Sequence, residues 1–426
     1  MELFVIQIRE DAVTAFERVA HTDHALLIDS ASQRHPNSNY TYALFHPTQT
    51  IKTNDWDEIR AFNKTFQTPL PDYAPTPFCG GIAGIITYDG DMIFGRYNKI
   101  IATDHAANEH FFLYWGNDIS EAQDALVSLL STPHNDNTFQ PTDIEWQSNF
   151  TREGFESAVT KVRDYIAAGD IFQANIAQRF SAKAPERFDP FAHYLALRDI
   201  NPAPYAAYMN AGDFQLSSAS PERFISCSSA GKVTTQPIKG TAPRYEDDAQ
   251  DKASADALEA SEKDRAENIM IVDLLRNDIS AVCEEDSVHV TGLCELQSFA
   301  QVHHLVSTIT GQLRQNTDAI DLLQHSFPGG SITGAPKIRT MEIISESEKI
   351  RRGAYCGSIV TIGVDGAMQS NILIRTLIHK DGEISFQAGG GITYASNPTE
   401  EYEETLDKAA AIFESFAPAE RSEDAA

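Results

Sequence analysis

The sequence is poor in cysteine, with five in 426 residues: Cys79, Cys227, Cys283, Cys294 and Cys356. They are widely spaced and odd in number, and no CxxC pair occurs. The spacing therefore predicts neither a disulfide framework nor a thiolate zinc site, and it fits a reducing compartment.

Long apolar runs and a basic leader are also missing. No stretch approaches the apolar length of a membrane span. The opening MELFVIQIRED carries an early acidic residue and lacks the basic segment and long apolar run of a signal peptide. We therefore expect a cytoplasmic protein with no membrane partner.

Basic residues are scarce, with 33 Lys and Arg against 61 Asp and Glu, which gives a formal net charge of −28. This field repels nucleic acids and anionic membrane surfaces, so neither is an expected partner. An anionic substrate needs local basic groups or a divalent cation to offset the field.

The apolar fraction of 42% is enough for a large core. Residues 1–145 mix short strand-like runs with loops, residues 131–148 are polar and suit a surface connection, and 417–426 are expected to be a frayed tail. Helices and strands alternate too irregularly between 150 and 416 for a doubly wound sheet or a barrel. The predicted fold class is therefore α/β (α+β), a large sandwich of mixed sheets.

The stretch TTQPIKGTAPR places Lys239 between a rigid proline and a glycine. On residue type alone, a lysine is usually a solvated surface charge. Pro237 and Gly240, however, predict a turn at a strand end that holds the lysine at a defined point. A desolvated lysine can act as a nucleophile. Glu222, in the upstream SASPERF segment, is the nearest candidate for a general acid or base.

Two predicted helices each carry a spaced pair of carboxylates. DRAENIMIVDLLRNDIS places Asp264 and Glu267 on one face, and NPTEEYEETLDKAAAIF, predicted to start near Pro398, does the same for Glu401 and Glu404. The simpler reading is two solvated charge pairs. Together, the two helices have the oxygen ligands that Mg²⁺ prefers.

Three further features have both a structural and a functional interpretation. His304, in a predicted strand, is either a core histidine or a catalytic one. Arg375, flanked by apolar residues, suits bidentate binding of a carboxylate. Gly389, Gly390 and Gly391 allow backbone amides to approach a ligand closely.

Several long motifs occur in one order: GDIFQANIAQRF, SASPERF, PIKGT, AENIMIVDLLRND, HLVS, FPGGSITGAPK, AYCGS, IRT, AGGGI and EYEETLDKA. In these motifs, the chain resembles the chorismate-utilising enzymes. The resemblance covers residues 150–416, and the preceding region is similar to the N-terminal part of anthranilate synthase component I. It implies the sandwich fold of that family.

Two positions distinguish the branches that the chain resembles. Salicylate and isochorismate synthases carry a water-activating lysine where this chain has Gln173, so the resemblance implies ammonia as the nucleophile. Anthranilate synthases typically carry alanine where this chain has Lys239, and the PIKGT lysine is typical of aminodeoxychorismate synthases. The alternatives are an anthranilate synthase component I and a non-catalytic relative that binds an amino acid.

The resemblance also implies roles for the candidate residues. Mg²⁺ is expected on Glu267 and Glu404, with Asp264 and Glu401 acting nearby through water, although some relatives have glutamate in place of Asp264. Lys239 is the expected nucleophile and Glu222 the general acid. The residues expected to bind or orient the substrate chorismate are His304, Gln173, Thr241, Thr333, Tyr355, Arg375, Gly389, Gly390 and Gly391.

The implied partner is a separate glutamine amidotransferase subunit, because the chain contains no GxCxG nucleophile loop. The implied product is an intermediate on the way to p-aminobenzoate and folate. Ser30, within LLIDSA, resembles a segment that binds tryptophan in relatives, so tryptophan is a further expected ligand.

Overall fold

The computed structural model describes residues 1–32, 35–135, 137–299 and 302–418. Most of the predicted tail, 417–426, thus lies outside the described residues. The helices are α1 (Ala12–Phe16), α2 (Trp56–Lys64), α3 (Ile119–Ser131), α4 (Arg152–Ala168), α5 (Pro190–Ile200), α6 (Asp248–Glu259), α7 (Glu262–Ser280), α8 (Ala319–Ser326), α9 (Lys337–Glu348) and α10 (Pro398–Phe416), with a 3-10 turn at Gly330–Ile332.

The strands are β1 (Glu2–Ile8), β2 (Leu26–Asp29), β3 (Tyr40–Leu44), β4 (Gln49–Thr53), β5 (Gly81–Ile86), β6 (Met92–Tyr97), β7 (Lys99–Asp104), β8 (Glu109–Gly116), β9 (Gln147–Ser148), β10 (Gln173–Lys183), β11 (Ala206–Asn210), β12 (Gln215–Ser218), β13 (Arg223–Cys227), β14 (Lys232–Thr235), β15 (Ile238–Pro243), β16 (His289–Ser298), β17 (Val302–Gln312), β18 (Gly334–Ala335), β19 (Ser358–Gly363), β20 (Met368–Asn371), β21 (Thr376–Lys380) and β22 (Glu383–Ile392).

These strands form two large sheets. A 12-stranded sheet has the order β1-β8-β7-β3-β2-β11-β12-β21-β22-β10-β18, with β9 paired to β10. A 10-stranded sheet has the order β15-β17-β14-β13-β20-β19-β5-β6-β4, with β16 paired to β17. Strands from 1–145 and from 150–416 occur in both, so the two sequence regions share one scaffold.

The predicted fold class, a large sheet sandwich with helices, is confirmed. The strand direction is a correction, because every strand pair among the described residues is antiparallel rather than mixed. Parallel neighbours need crossover connections, usually helical. Helices do join paired strands here, α4 between β9 and β10 and α6 and α7 between β15 and β17, but both pairs are antiparallel.

The two sheets pack face to face through aliphatic side chains. Leu26 and Leu113, from the 12-stranded sheet, share a buried cluster with Ile85 and Ile359, from the 10-stranded sheet. Helix α7 belongs to a separate cluster through Ile271, which packs with residues of the 10-stranded sheet. Helix α10 covers β10 and β22. These two helices are thereby fixed on different sheets.

The helix predictions near the site are confirmed, and local capping explains their ends. Helix α4 ends at Gly169, whose left-handed backbone (φ 83°) closes the last turn. The side chain of Ser261 caps α7, and that of Asn397 caps α10 directly before Pro398. None of the helices in the described ranges is both long and apolar enough to cross a membrane.

Candidate active site

A cavity of about 540 Å³ is lined by residues from both sheets and from α7 and α10. It gathers residues that are far apart in the sequence. Twelve of the fifteen predicted site residues line it: Glu222, Lys239, Thr241, Asp264, Glu267, His304, Tyr355, Arg375, Gly389, Gly391, Glu401 and Glu404. The three that do not are Gln173, Thr333 and Gly390.

Lys239 lies in a strand and not in the predicted turn. It belongs to β15, which pairs with β17, and the register shifts between Lys239 and Thr241. Gly240 has φ +82°, and a Cβ there would lie 2.9 Å from Cβ of Asp264. Glycine thus permits the bulge and the close approach of α7. Lys239 is half-buried, faces the cavity, and its charge acts on Glu222, Glu267 and Glu404.

Glu222 is buried at the cavity wall. Burial raises its pKa to about 7, against the opposing effects of Lys239, a hydrogen bond with Ser331, and Arg375. Because this pKa is near neutrality, both the acid and its conjugate base are present at physiological pH. The carboxyl group can therefore donate or accept a proton inside the cavity.

His304 is a neutral imidazole. Burial lowers its pKa to about 4. Its Nδ1 lies 2.9 Å from Oγ1 of Thr241 and 3.4 Å from the carbonyl oxygen of Gly240. These contacts fix the ring beside the bulge that carries Lys239. The histidine can therefore orient a polar group without bringing a charge.

The four helix carboxylates converge at one side of the cavity. Burial and the charge of Glu404 raise the pKa of Glu401, and burial, Asp264 and Glu404 raise that of Glu267 against the effect of nearby lysines. The pKa of Glu404 itself is lowered: burial acts to raise it, but the charge and hydrogen bond of Lys408, with the charges of Lys239 and Lys263, together outweigh burial. Asp264 accepts a hydrogen bond from Ser261, and Glu404 pairs with Lys408, so these two carboxylates already have partners.

The four helix carboxylates fit a divalent cation that takes only a few of its ligands from the protein. No three His, Cys, Asp or Glu side chains in the described ranges are grouped closely enough to form a complete metal cluster. Mg²⁺, however, is commonly bound by one or two carboxylates, with water and substrate oxygens completing the shell. Six acidic and four basic side chains line the cavity, so a divalent cation would balance its charge.

Arg375 lies between β20 and β21 with a left-handed backbone (φ 52°), unusual for a residue other than glycine. The carbonyl oxygen of Arg375 accepts a hydrogen bond from the amide of Ala219 (3.0 Å). Burial lowers the pKa of its guanidinium, and Glu222 partly offsets this. Its side chain thus brings a cation to the cavity wall near Glu222.

The glycines of β22 make room for neighbouring side chains. Gly389, Gly390 and Gly391 pair with β10. A Cβ on Gly390 would lie 3.2 Å from Oε2 of Glu401, and one on Gly391 would lie 2.3 Å from Nε2 of Gln173. The sequence predicted that these glycines bring backbone amides close to a ligand, and this stays a prediction. The structure shows that Gly390 and Gly391 leave no room for side chains beside Glu401 and Gln173.

Gln173 and Thr333 lie behind the residues that line the cavity and are not among them. Gln173 is fully buried beside Gly391, and neither amide atom has a hydrogen-bond partner among the described residues. The hydroxyl of Thr333 donates to the carbonyl oxygen of Gly329 (2.9 Å), which ties it to its own loop. The structure therefore does not bring Thr333 to the cavity.

Sequence reasoning missed two lysines of the cavity. Lys408 lies 2.6 Å from Oε1 of Glu404 and donates to the carbonyl oxygen of Gly389 (3.0 Å). Lys263 lies 3.9 Å from Oε1 of Glu401. Lys408 follows Glu404 by four residues, and residues at this spacing face each other on a helix. The spacing could therefore have predicted that Lys408 lies beside Glu404. Lys263 stands four residues before Glu267 on α7, so the same spacing was available for it.

A buried ion pair supports the cavity wall from behind. Arg352 and Glu348 make two contacts, Nη2 to Oε1 (2.6 Å) and Nε to Oε2 (3.0 Å), and each side chain is 1% exposed. Arg352 also donates to the carbonyl oxygens of Ile332 (2.9 Å) and Asn175 (2.8 Å). Glu348 accepts from the amide of Ala177 (2.9 Å). The pair thus provides hydrogen-bond partners for backbone groups along a stretch of the β10 edge that no other strand pairs with.

A second cavity, of about 270 Å³, includes Ser30, Tyr40, Phe78 and Tyr205 in its lining. The hydroxyl of Ser30 donates to the carbonyl oxygen of Tyr40 (2.7 Å). Ser30 therefore lies at a cavity lined by both aromatic and polar groups.

Comparisons with known proteins identify relatives of this chain. A profile of the chorismate binding enzyme family matches residues 23–414. The chain is 39% identical to aminodeoxychorismate synthase component 1 of Escherichia coli (strain K12), over 94% of this chain and 95% of that one. It is 34% identical to anthranilate synthase component 1 of Thermus thermophilus, over 96% of each. The crystal structure of anthranilate synthase component I from Streptococcus pneumoniae TIGR4 superposes with a TM-score of 0.79 at 31% identity, covering 89% of this chain and 93% of that one.

Proposed function

The chain belongs to the chorismate-binding enzyme family, and on that premise we propose that it is an aminodeoxychorismate synthase component 1. It would convert chorismate and ammonia to 4-amino-4-deoxychorismate, the precursor of p-aminobenzoate. The observation that carries the proposal is the placement of Lys239 in the cavity with Glu222 and the carboxylates of α7 and α10. Relatives of that name at 34–39% identity over most of the chain support it.

The main rival is an anthranilate synthase, since relatives with that name also match. In that reaction ammonia attacks C2 and pyruvate is lost. Lys239 is the residue that favours C4 amination, because it provides a nucleophile for C2 and leaves C4 for ammonia. A non-catalytic regulatory protein is disfavoured because Glu222, Glu267, Arg375 and Glu404 all line one cavity.

The cavity is suited to a dicarboxylate. Arg375 provides a guanidinium for one carboxylate, with Tyr355 and the backbone near Gly391 beside it. Glu267 and Glu404 would hold Mg²⁺, which neutralises the other carboxylate of the substrate when bound. The uncharged His304 would orient a hydroxyl or carboxylate group without adding charge.

The reaction proceeds through two substitutions. The ammonium group of Lys239 first loses a proton to solvent. The free amine then forms a bond to C2, the ring double bond shifts, and the C4–O bond breaks. Glu222, whose pKa of about 7 keeps much of it protonated at neutrality, protonates the departing hydroxyl, which leaves as water. Its carboxylate then takes a proton from the new lysine nitrogen. Ammonia forms the C4–N bond and the double bond returns, while Glu222 gives its proton to the lysine nitrogen so that C2–N cleavage releases a neutral amine. The carboxylate of Glu222 then takes a proton from the new ammonium group at C4. The enolpyruvyl ether is retained.

Identifying the product tests this proposal. With chorismate, Mg²⁺ and ammonium, we expect a product that an added lyase converts to p-aminobenzoate. Chelation of the metal with EDTA is expected to stop turnover, and added Mg²⁺ to restore it. Fluorescent anthranilate as the product would contradict the assignment, and no turnover of chorismate would favour the regulatory alternative.

Tryptophan is proposed as a ligand of the second cavity, beside Ser30. The aromatic and polar lining, from Tyr40, Phe78 and Tyr205, supports an amino acid with an aromatic side chain. Isothermal titration with tryptophan is expected to give saturable heat, and phenylalanine a weaker signal. The absence of heat with tryptophan would end this proposal.

A further inference from the structure

Asn175 lines the cavity, although no step of the proposed reaction uses it. It is the third residue of β10, is 6% exposed, and shares the lining with Lys239 and Arg375. The amide of an asparagine carries two N–H donors at one end and an acceptor oxygen at the other. What Asn175 can bind therefore depends on which end is free.

The guanidinium of Arg352 fixes the orientation of this amide. Nη2 of Arg352 lies 3.3 Å from Oδ1 of Asn175 and 2.8 Å from its carbonyl oxygen. Arginine has donors and no acceptor, so the side-chain atom that faces it must be the amide oxygen. Among the described residues, Nδ2 of Asn175 makes no hydrogen bond. The nitrogen is therefore the free end of the amide.

The strand pairing places this side chain next to Lys239. The amide of Asn175 donates to the carbonyl oxygen of Thr333 (2.8 Å), and its carbonyl oxygen accepts from Arg352. Both backbone groups thus point away from β22, so Asn175 and the opposite residue, Gly391, form a non-hydrogen-bonded pair with Cα atoms about 4.5 Å apart. Opposite residues project to the same face of a sheet. Because a Cβ on Gly391 would lie 3.5 Å from Nζ of Lys239, the Asn175 side chain lies on the side of the cavity that holds the lysine amine.

Arg352 orients the amide without itself being free to bind an anion. Its charge is balanced by Glu348 in the buried ion pair behind the cavity. A guanidinium on the oxygen polarises the amide and strengthens the N–H donors at its other end. The guanidinium carbon also lies 5.5 Å from the centre of the Tyr355 ring. The same arginine thus contacts both Asn175 and Tyr355, the residue expected beside one substrate carboxylate.

We infer that Asn175 is a substrate-binding residue, whose Nδ2 donates a hydrogen bond to the chorismate carboxylate that Arg375 binds, and that Arg352 is its positioning residue. This inference rests on the proposed function for the identity of the substrate. A donor selects an acceptor, and a carboxylate is the strongest acceptor that chorismate offers. The other carboxylate is assigned to Mg²⁺ among the acidic side chains of α7 and α10. Asn175 therefore belongs to the carboxylate that the metal does not hold.

Two substitutions at this position separate substrate binding from a structural role. Asn175→Asp keeps the shape and an oxygen for Arg352 but replaces the donor with a negatively charged oxygen, whereas Asn175→Ala removes both ends of the amide. Each is combined with Lys239→Ala, so that chorismate binds without forming an adduct, and the Kd for chorismate is measured by calorimetry with Mg²⁺ present. Asn149→Asp is the matched control, because this exposed asparagine also contacts the ion-pair segment, donating to the carbonyl oxygen of Glu348 (3.2 Å), and does not line the cavity.

We expect Asn175→Ala to raise the Kd for chorismate about ten- to a hundredfold, the range for losing a hydrogen bond to a charged group. Asn175→Asp should raise it further, because the new carboxylate repels that of the substrate. The control should stay within twofold. If Asn175→Asp bound chorismate as tightly as the parent protein, the contact with Arg352 would be the whole role of Asn175 and the inference would be overturned. Should the alanine variant fail to fold, the comparison of aspartate with asparagine still decides, because aspartate keeps that contact.

Turnover distinguishes this outcome from failure of the proposed function. With Lys239 intact, the KM for chorismate should rise in both Asn175 variants, and the KM for ammonium should stay within twofold. A rise in the KM for ammonium alone would contradict the inference. A wrong or missing product from the unaltered chain would instead refute the assigned reaction, and the Kd comparison would still decide whether Asn175 binds chorismate.

Discussion

Replacing Lys239 with alanine is expected to lower aminodeoxychorismate formation by about a thousandfold or more, the scale seen when a covalent nucleophile is removed. The reason is geometric. Lys239 is the lysine that the β15 bulge holds in the cavity beside Gly391. Without its amine, no group occupies C2 and ammonia is not directed to C4. Product formation is followed with the lyase-coupled assay, at saturating chorismate and ammonium.

Two further variants separate nucleophilic from electrostatic action. Lys239→Arg keeps a positive charge but cannot provide a neutral amine, because a guanidinium stays protonated. It should be as inactive as the alanine variant. Lys232→Ala, at an exposed lysine of β14, should keep full activity. A Lys239→Arg enzyme with near-normal turnover would show that the charge alone is needed, and the adduct would have to be abandoned.

The second large effect concerns stability. Arg352→Met leaves the carboxylate of Glu348 buried without its partner, and breaking a buried pair in this way typically costs about 3–5 kcal/mol. We expect the free energy of unfolding to fall by about that amount, measured in urea through tryptophan fluorescence. The neighbouring Arg351 is the matched control. It is 70% exposed and pairs with Asp89 (3.5 Å) and Asp91 (3.1 Å) at the surface, so Arg351→Met should cost no more than about 1 kcal/mol.

The double variant Glu348→Gln/Arg352→Met distinguishes the unpaired charge from lost packing. Removing both charges should recover part of the stability. The carbonyl oxygens of Ile332 and Asn175 would still lack a donor, at about 1–3 kcal/mol each. If Arg352→Met were no worse than Arg351→Met, the pair would have no structural role behind the cavity.

Local signals were sufficient to predict the helices that carry the carboxylates. The start near Pro398 and the i, i+3 spacing of Glu401 and Glu404 are written in short stretches of sequence; the cap residue Ser261 was recognised only in the structure. The same spacing placed each pair on one face. That the two faces meet is tertiary information, and the motif resemblance supplied it where periodicity could not.

Other features depend on contacts between distant segments and could not be read locally. The bulge at Lys239 requires β17 as a partner, so the sequence around it, with proline and glycine, indicated a turn instead. The burial of Gln173 depends on Gly391, more than two hundred residues later. The ion pair of Glu348 and Arg352 looks like an ordinary surface pair at helical spacing until β10 is placed beside it.

The pairing of early with late strands determines when this protein can become active during its synthesis. Strand β5 pairs with β19 and β10 with β22, while α10, near the end of the described chain, supplies Glu401 and Glu404 to the cavity. A chain emerging from the ribosome therefore holds unpaired strand edges until β19 and β22 have been made. Such non-local pairing is slow and exposes the chain to aggregation. The cavity can therefore be completed only after α10 has been synthesised.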